Sequence, residues 1–326
     1  MIWITKTPPI ATYVFDTYWK FAAARQEIFF NRIGGVSQLT TDPILLKHKF
    51  TNAYRAADRV SQYLIREVIY KGDQTPKELL FLILLFKLFN KIETWELLQE
   101  ELSTVTWEGF SFELYSKVLD QALQAGEPIY SGAYIMASGK SAFGHLRKHE
   151  NHLKLIEHML RLDLADRLGE VRSLEAVYEL LLSFPTIGRF LAYQYAIDIN
   201  YSMLTDFSEM DFVMPGPGAK DGIRKCFSSL GDYSEADVIR YATDRQEQEF
   251  ERLGIQFKNL WGRRLQLIDC QNLFCETDKY ARLAHPEVGG ISKRTRIKQL
   301  YRNSQRTIEY YFPPKWGLNE KLAYSI

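Results

Sequence analysis

The sequence predicts an all-α protein, and three observations lead to this prediction. Apolar residues recur with helical spacing along most of the chain, between clear helix start and stop signals. The sequence shows neither a βαβ alternation nor a series of short alternating strands. The longest apolar run, Leu79–Phe86, is too short to cross a bilayer, so we expect a buried helix there.

Capping and helix-breaking residues set the bounds of the expected helices. These helices cover about 75–90, 111–126, 234–254 and 256–283. The first begins at Thr75, where Glu78 completes the pattern of a capping box. The next two begin at the cap residues Ser111 and Ser234. A minor hairpin near Phe212–Met214 is the only β structure that we expect.

Composition and charge place the chain among globular proteins. Its 326 residues are 46% hydrophobic and 25% charged, and we expect one unit, 1–326, made of two packed helical lobes. The net charge is +1, which does not exclude DNA because a balanced total can hide a segregated basic face. Three cysteines without a CxxC pair, and no secretory signal, predict free thiols in the cytoplasm and no membrane association.

Two patterns resemble cofactor sites but depart from them. Ser138–Ser141 reads like the end of a phosphate-binding P-loop, yet the first glycine of that motif would fall on Tyr134, so no NTP is expected. Three histidines lie on adjacent helical turns: His145, His149 and His152. Basic residues among them disfavour a cation, so we expect no metal and no other cofactor.

A short turn between two apolar helical segments is the most informative local pattern. Pro185 and Gly188 bracket the turn, and the pattern at about 173–200 resembles the helix-hairpin-helix of DNA glycosylases. A glycine there lets the backbone approach a phosphate, and free amides at a helix start bind its oxygens. Thr186, Gly188 and Arg189 are therefore predicted DNA contacts, although any tight turn between helices could give the same pattern.

The resemblance to that superfamily implies a catalytic aspartate about twenty residues past the hairpin. Asp211 follows Gly188 by 23 residues, with Asp206 and Glu209 as the nearest rivals. A carboxylate beside the sugar would stabilise the positive charge that develops when an N-glycosidic bond breaks. The alternative for Asp211 is a helix cap or a turn residue.

Two departures narrow the activity that this resemblance implies. Phe190 stands where bifunctional members carry the lysine that forms a Schiff base, so a lyase step is not expected. The four closely spaced cysteines of an iron–sulfur cluster are absent. Gly216 and Gly218, which follow the predicted catalytic residue, are further predicted DNA contacts.

Longer motifs resemble a narrower family. They are Tyr18–Phe21, Asp42–Leu45, Phe50–Gln62, Lys87–Asn90, Glu93–Trp95, Asp211–Ala219 and Asp269–Tyr280. Together they look like the 5-hydroxymethyluracil DNA kinase helical domain family, also labelled the α-glutamyl/putrescinyl thymine pyrophosphorylase clade. This resemblance implies a role on hypermodified phage DNA, and some members act as anti-phage DNA glycosylases. It also implies that the kinase label reflects fusion to a separate P-loop domain.

Polar residues in two of these motifs suggest a pocket for a flipped base. If residues 52–62 form one helix, Asn52, Arg55, Arg59 and Gln62 share a face, with Asp58 at its edge. The predicted base pocket consists of Asn52, Asp58, Gln62, Gln271 and Asn272. Arg55 and Arg59 are predicted DNA contacts. A salt-bridged surface helix, and buried satisfied amides, remain the alternatives.

A basic segment near the end of the sequence is the third candidate element. Lys293–Arg306 holds six basic residues and no acid, which is typical of a phosphate-binding helix or loop. The predicted DNA contacts in this segment are Lys293, Arg294, Arg296 and Lys298. The alternative is a solvated charged face.

Three functional hypotheses follow from these features. The first is a monofunctional DNA N-glycosylase, a hydrolase that excises a modified pyrimidine such as α-glucosyl-hydroxymethylcytosine from double-stranded phage DNA in anti-phage defence. The second is a transferase of base hypermodification that acts on a flipped base and leaves the glycosidic bond intact. The third is a DNA-binding module without chemistry.

Overall fold

The computed structural model describes residues 6–302 and 308–323, which divide into two compact units. Unit 1 comprises the described parts of Met1–Asp58, Phe212–Tyr310 and Pro314–Ile326, and unit 2 comprises Arg59–Asp211 and Tyr311–Pro313. Helices dominate both units, so the predicted all-α class is confirmed. None of the helices in the described ranges is both long and apolar enough to cross a membrane.

The helices are joined by connections that vary widely in length. They are α1 (Tyr13–Ile33), α2 (Pro43–Lys47), α3 (Arg59–Tyr63), α4 (Pro76–Phe89), α5 (Ile92–Glu101), α6 (Phe112–Gln124), α7 (Lys140–Phe143), α8 (Lys148–Arg161), α9 (Leu164–Glu170), α10 (Leu174–Leu182), α11 (Arg189–Asn200), α12 (Pro217–Cys226), α13 (Glu235–Asp244), α14 (Gln246–Arg252), α15 (Leu267–Ala284) and α16 (Asn319–Ala323). Short 3₁₀ turns lie at Arg55–Ala57 and Pro314–Trp316, and a π-helical turn lies at Leu64–Ile69.

Unit 1 is built around α1, α12 and α15. The ring of Tyr18 packs 4.4 Å from the ring of Phe274, and both side chains are fully buried. α12 and α15 approach closely because two glycines face α15: a Cβ on Gly218 would lie 2.3 Å from Cys275 Sγ, and one on Gly222 would lie 1.9 Å from the carbonyl oxygen of Phe274. These glycines are therefore required for the packing of the two helices.

A small antiparallel sheet belongs to unit 1, but not where the sequence predicted β structure. β1 (Ile10–Ala11) pairs with β2 (Phe227–Ser229). The predicted hairpin at Phe212–Met214 is wrong, because these residues form an irregular segment that leads to the start of α12 at Pro217.

Unit 2 contains α3 to α11, with the apolar helix α4 at its centre. Every residue of α4 from Leu79 to Phe89 is buried, which confirms the buried helix expected from the apolar run. The predicted capping box is wrong. The side chain of Thr75 makes no capping hydrogen bond, and the carboxylate of Glu78 instead accepts the backbone N–H groups of Trp107 and Glu108 at 2.6 and 3.0 Å.

Two of the predicted caps are confirmed, and two predicted helices differ from the structure. Ser111 accepts from the backbone N–H of Leu114 at 3.3 Å, and Ser234 from that of Asp237 at 3.2 Å. The segment 234–254 forms two helices rather than one, and helix α15 begins eleven residues later than predicted. Trp261 and Gly262 adopt left-handed backbone angles, with φ of 50° and 101°, and these angles interrupt a helix.

Candidate nucleic-acid interface

The predicted hairpin turn joins α10 to α11 in unit 2. Gly188 is the N-cap of α11, and both Gly188 and Arg189 are exposed. The left-handed residue of the turn is Thr186, with φ of 68°, whereas Gly188 has an ordinary φ of −84°. A Cβ at Gly188 would meet no atom within 4 Å, so the protein itself does not require glycine at this position.

The predicted catalytic carboxylate does not line an enclosed site within its own unit. Asp211 is exposed, and its backbone N–H donates to the carbonyl oxygen of Ser208 at 3.2 Å in a turn. Of its rivals, Asp206 is exposed and Glu209 is buried. The turn alternative therefore describes the local conformation of Asp211.

Asn52 and Asp58 meet inside unit 1, where they form part of a largely buried network. The backbone N–H of Asn52 donates to Asp58 Oδ1 at 2.7 Å, and its side-chain amide donates to the carbonyl oxygen of Ala57 at 2.7 Å. Arg25 donates to Asn52 Oδ1 at 3.2 Å. Burial raises the pKa of Asp58 to about 7, against the hydrogen bond from Asn52, which lowers it.

The five residues of the predicted base pocket do not come together as one pocket within a unit. Gln62 belongs to unit 2, where its Oε1 accepts the backbone N–H of Tyr311 at 2.7 Å. Gln271 is buried in α15 of unit 1 and donates to Asn272 Oδ1 at 3.2 Å. The underlying helical wheel is also wrong, because the chain is extended at Asp58 between the 3₁₀ turn and α3.

Two of the predicted DNA contacts have other roles in the structure. Arg55 is only 1% exposed, and its backbone N–H donates to Asp269 Oδ1 at 2.8 Å, so a direct phosphate contact is the wrong interpretation. Gly218 packs against Cys275, as described above, and its backbone is only partly exposed. Two other predicted DNA contacts are also placed by the structure. Arg59 is partly exposed, and its guanidinium lies 3.7 Å from the carboxylate of Glu93. Gly216 is buried and is the N-cap of α12.

The basic segment is exposed, and it is a loop rather than a helix. All four predicted contacts in it are exposed: Lys293, Arg294, Arg296 and Lys298. Ile297 is buried and anchors the segment to unit 1. Two backbone hydrogen bonds lie next to Ile297. The N–H of Lys49 donates to the carbonyl oxygen of Gln299, and the N–H of Tyr301 donates to the carbonyl oxygen of Lys47. Arg306, the last basic residue of the predicted segment, lies outside the described residues.

The described residues of unit 1 form at least two grooves, and one of these adjoins the basic segment. It has a volume of about 360 Å³ and is lined by Lys47, His48 and Arg296 among others. The other groove, of about 480 Å³, is lined by residues of α14 and of the segment 254–264. None of the predicted site residues lines this second groove.

Ordinary packing buries two of the three thiols and two of the three histidines of the predicted motif. Cys226 and Cys270 are buried, and burial raises the pKa of all three thiols. His149 lies 3.0 Å from the carboxylate of Asp120, and the ring of His152 contacts Tyr130 and the carbonyl oxygen of Ala137. Over the described part of the chain, no group of three potential ligands is placed to hold a metal ion.

A buried ion pair in unit 2 was not predicted from the sequence. Lys87 Nζ in α4 lies 3.0 Å from the carboxylate of Asp198 in α11, and the two side chains are 4% and 0% exposed. The ring of Tyr134 lies over the ammonium group. A single lysine inside the otherwise apolar stretch Leu79–Phe89 was the available signal, because a buried charge requires a partner.

Comparison with known proteins identifies the family. The family described as "5-hmdU DNA kinase, helical domain" matches residues 12–290. A protein of Bacillus phage SP10, named "5-hmdU DNA kinase", is 29% identical over 302 residues, which are 85% of this chain and 46% of the phage protein. The chain thus spans about half the length of this relative. No solved structure matches the chain.

These names contradict the first functional hypothesis. A kinase transfers a phosphoryl group and cleaves no glycosidic bond, so the prediction of a monofunctional DNA glycosylase, a hydrolase, is wrong, and the transferase alternative is better supported. A kinase also draws its phosphoryl group from an NTP, against the expectation that no NTP takes part. The narrower resemblance is confirmed: the chain belongs to the family of the 5-hmdU DNA kinase helical domain.

Proposed function

We propose that this chain is the DNA-binding helical part of a transferase that modifies the 5-hydroxymethyl group of a pyrimidine in DNA. The glycosidic bond stays intact in this reaction. One observation carries the proposal: a family named for a 5-hmdU DNA kinase matches residues 12–290, and the phage kinase aligns with 85% of the chain. The phosphoryl acceptor would be the hydroxyl group on the base substituent.

In this proposal, the NTP binds to a part of the kinase that lies outside this helical chain. The sequence contains no complete P-loop motif, since Tyr134 replaces its first glycine. The related Ser138–Ser141 segment forms the start of α7, a helix of only four residues, and Lys140 is exposed there. The phage relative is about twice as long as the matched region, which leaves room in it for a separate donor site.

DNA binding is proposed for two exposed elements, one in each unit. In unit 1, the basic loop presents Lys293, Arg294, Arg296 and Lys298 to solvent. In unit 2, the turn before α11 exposes Gly188 and Arg189. Cations that neutralise DNA phosphates release condensed counterions, so a local basic surface supports binding even on a chain of net charge +1.

The test combines binding with analysis of the nucleosides. Fluorescence anisotropy would compare duplexes that differ only in one 5-hydroxymethyldeoxyuridine or thymidine, and mass spectrometry would follow the digested nucleosides after incubation with ATP. We expect tighter binding to the modified duplex, and nucleosides that keep their glycosidic bonds. Release of free 5-hydroxymethyluracil, or equal affinity for both duplexes, would contradict the proposal.

A further inference from the structure

The buried ion pair of unit 2 lies in the apolar part of α4. Lys87 is the only charged residue among the buried residues of α4, and its Nζ contacts both Asp198, at 3.0 Å, and Asn90 Oδ1, at 2.8 Å. Burying such a pair costs desolvation energy that its attraction only about offsets, and apolar replacements are often neutral or stabilising. Stability alone therefore does not explain why the pair is present.

An aromatic ring covers this pair and also stacks on a second ring. The centroid of the Tyr134 ring is 4.5 Å from Lys87 Nζ. The same ring is nearly parallel to that of Phe190, with an interplanar angle of 7° and 5.8 Å between centroids. Phe190 directly follows Arg189 in the first turn of α11, next to the exposed hairpin turn.

Tyr134 is carried by a loop tip that is fixed at both of its ends. The backbone N–H of Ser131 donates to the carbonyl oxygen of Phe89, and buried Met136 accepts from the hydroxyl of Tyr195 at 3.5 Å. Between these anchors Tyr134 has a φ of 57°, a left-handed backbone that costs energy for a residue with a Cβ. The tip therefore holds a strained backbone while the Tyr134 ring lies over the ion pair.

We propose that the Tyr134 ring occupies the place of an extrahelical pyrimidine base. This inference rests on the proposed function, which supplies DNA as the ligand. The displaced base would stack on Phe190, because every base has a π-face. The ammonium group of Lys87, which now faces the Tyr134 ring, would then face the ring of the base.

The match in size and polarity favours a pyrimidine. A six-membered ring already lies in this position, and its two contacts, a cation and a parallel aromatic ring, suit any planar π-system of that size. A uracil-type base carries carbonyl oxygens around a ring of this size, and their partial negative charge attracts an ammonium group that lies over the ring. The pair thereby acquires a ligand-binding role.

Photocrosslinking tests the site directly. A duplex with one 5-iododeoxyuridine, placed opposite a mismatched base, would be irradiated with the full chain, and the crosslinked peptide identified by mass spectrometry. We expect the crosslink in the peptides that contain Phe190 or Tyr134. Crosslinks confined to other peptides, or no crosslink at saturating protein, would overturn the inference.

Variants give a second measurement that does not depend on the crosslink. Phe190→Ala removes the stacking partner and should weaken binding to the mismatched duplex roughly tenfold, the size of one base–aromatic stack. Tyr134→Ala removes the competing ring and should raise the crosslink yield. Both side chains are partly exposed, so these variants are expected to fold. Wild-type affinity and crosslink yield in both variants would overturn the inference.

A matched control comes from the second buried ion pair, in unit 1. Lys225 Nζ lies 3.0 Å from the carboxylate of Asp278, and both side chains are at most 3% exposed. Lys87→Met should reduce the crosslink yield, whereas Lys225→Met should leave it unchanged; equal effects would overturn the inference.

Different results would contradict the proposed function and the proposed base site. A crosslink at Phe190 without preference for the hydroxymethylated base contradicts only the proposed function.

Discussion

Replacing Gly222 with alanine tests the closest contact in unit 1. The added Cβ would lie 1.9 Å from the carbonyl oxygen of Phe274 and 2.6 Å from its carbonyl carbon. Both are backbone atoms, so no side-chain rotation can relieve the overlap, and α12 must move away from α15. Overpacking costs about 1–3 kcal/mol, and we expect the upper end because two helices must separate.

The helical propensity of alanine offsets part of this cost. Alanine is about 1 kcal/mol more favourable than glycine in a helix interior, so the expected net loss for Gly222→Ala is about 2 kcal/mol. Gly169→Ala is the matched control. Gly169 is exposed in α9, and a Cβ there would meet no atom within 4 Å, so this variant should gain up to about 1 kcal/mol.

Urea unfolding, followed by circular dichroism, would measure both free energies, and hydrogen exchange of peptides from α12 and α15 would locate the change in unit 1. The linear extrapolation requires an unchanged slope between variants. The reasoning is refuted if Gly222→Ala is as stable as the wild type. It is also refuted if Gly169→Ala loses as much stability as Gly222→Ala.

Three further predictions concern charge. Since the pKa of Asp58 is raised to about 7, the folded state binds its proton more tightly than the unfolded state, and stability falls as pH rises from about 4 to about 7. Asp58→Asn should remove this loss, at most about 4 kcal/mol, in urea unfolding at pH 5 and pH 8; an unchanged pH dependence would contradict this. Burial lowers the pKa of His152 to about 4, so stability is lost as pH falls from about 6.5 to about 4. His152→Gln should flatten the melting temperature over this range, and a profile like that of the wild type would refute the assignment. The double variant Arg294→Ala/Lys298→Ala should reduce the slope of log affinity against log salt by about 2 for every duplex, and an unchanged slope would exclude phosphate contacts there.

The fold class could be predicted because helical signals are local. Ser111 and Ser234 cap their helices through contacts within one turn, and the sequence contains both partners of each contact. Glu78 shows where this reasoning fails. Its carboxylate binds the backbone of Trp107 and Glu108, about thirty residues away, and no local pattern encodes such a contact.

The predicted site was less accurate because it relied on one helical wheel. That wheel assumed a continuous helix from Asn52 to Gln62, but the carboxylate of Asp58 accepts the backbone N–H of Asn52, and this contact stabilises a turn. The exposed basic loop was easier to predict, because a run of cations without acids is rarely buried. Burial and tertiary partners, rather than residue type, separated the correct predictions from the wrong ones.

The position of the carboxylates argues against inferring hydrolysis from the hairpin alone. Spacing selected Asp211, but this side chain is exposed in a turn. The carboxylate on the helix that follows the hairpin is Asp198, which is fully buried and neutralised by Lys87. Cleavage of a glycosidic bond uses a carboxylate whose negative charge faces the sugar. A neutralised ion pair beside stacked rings is better suited to holding a base while a reaction takes place at the substituent of that base. The same fold can support either glycosidic hydrolysis or modification of a base only if the residues of the site differ between the two.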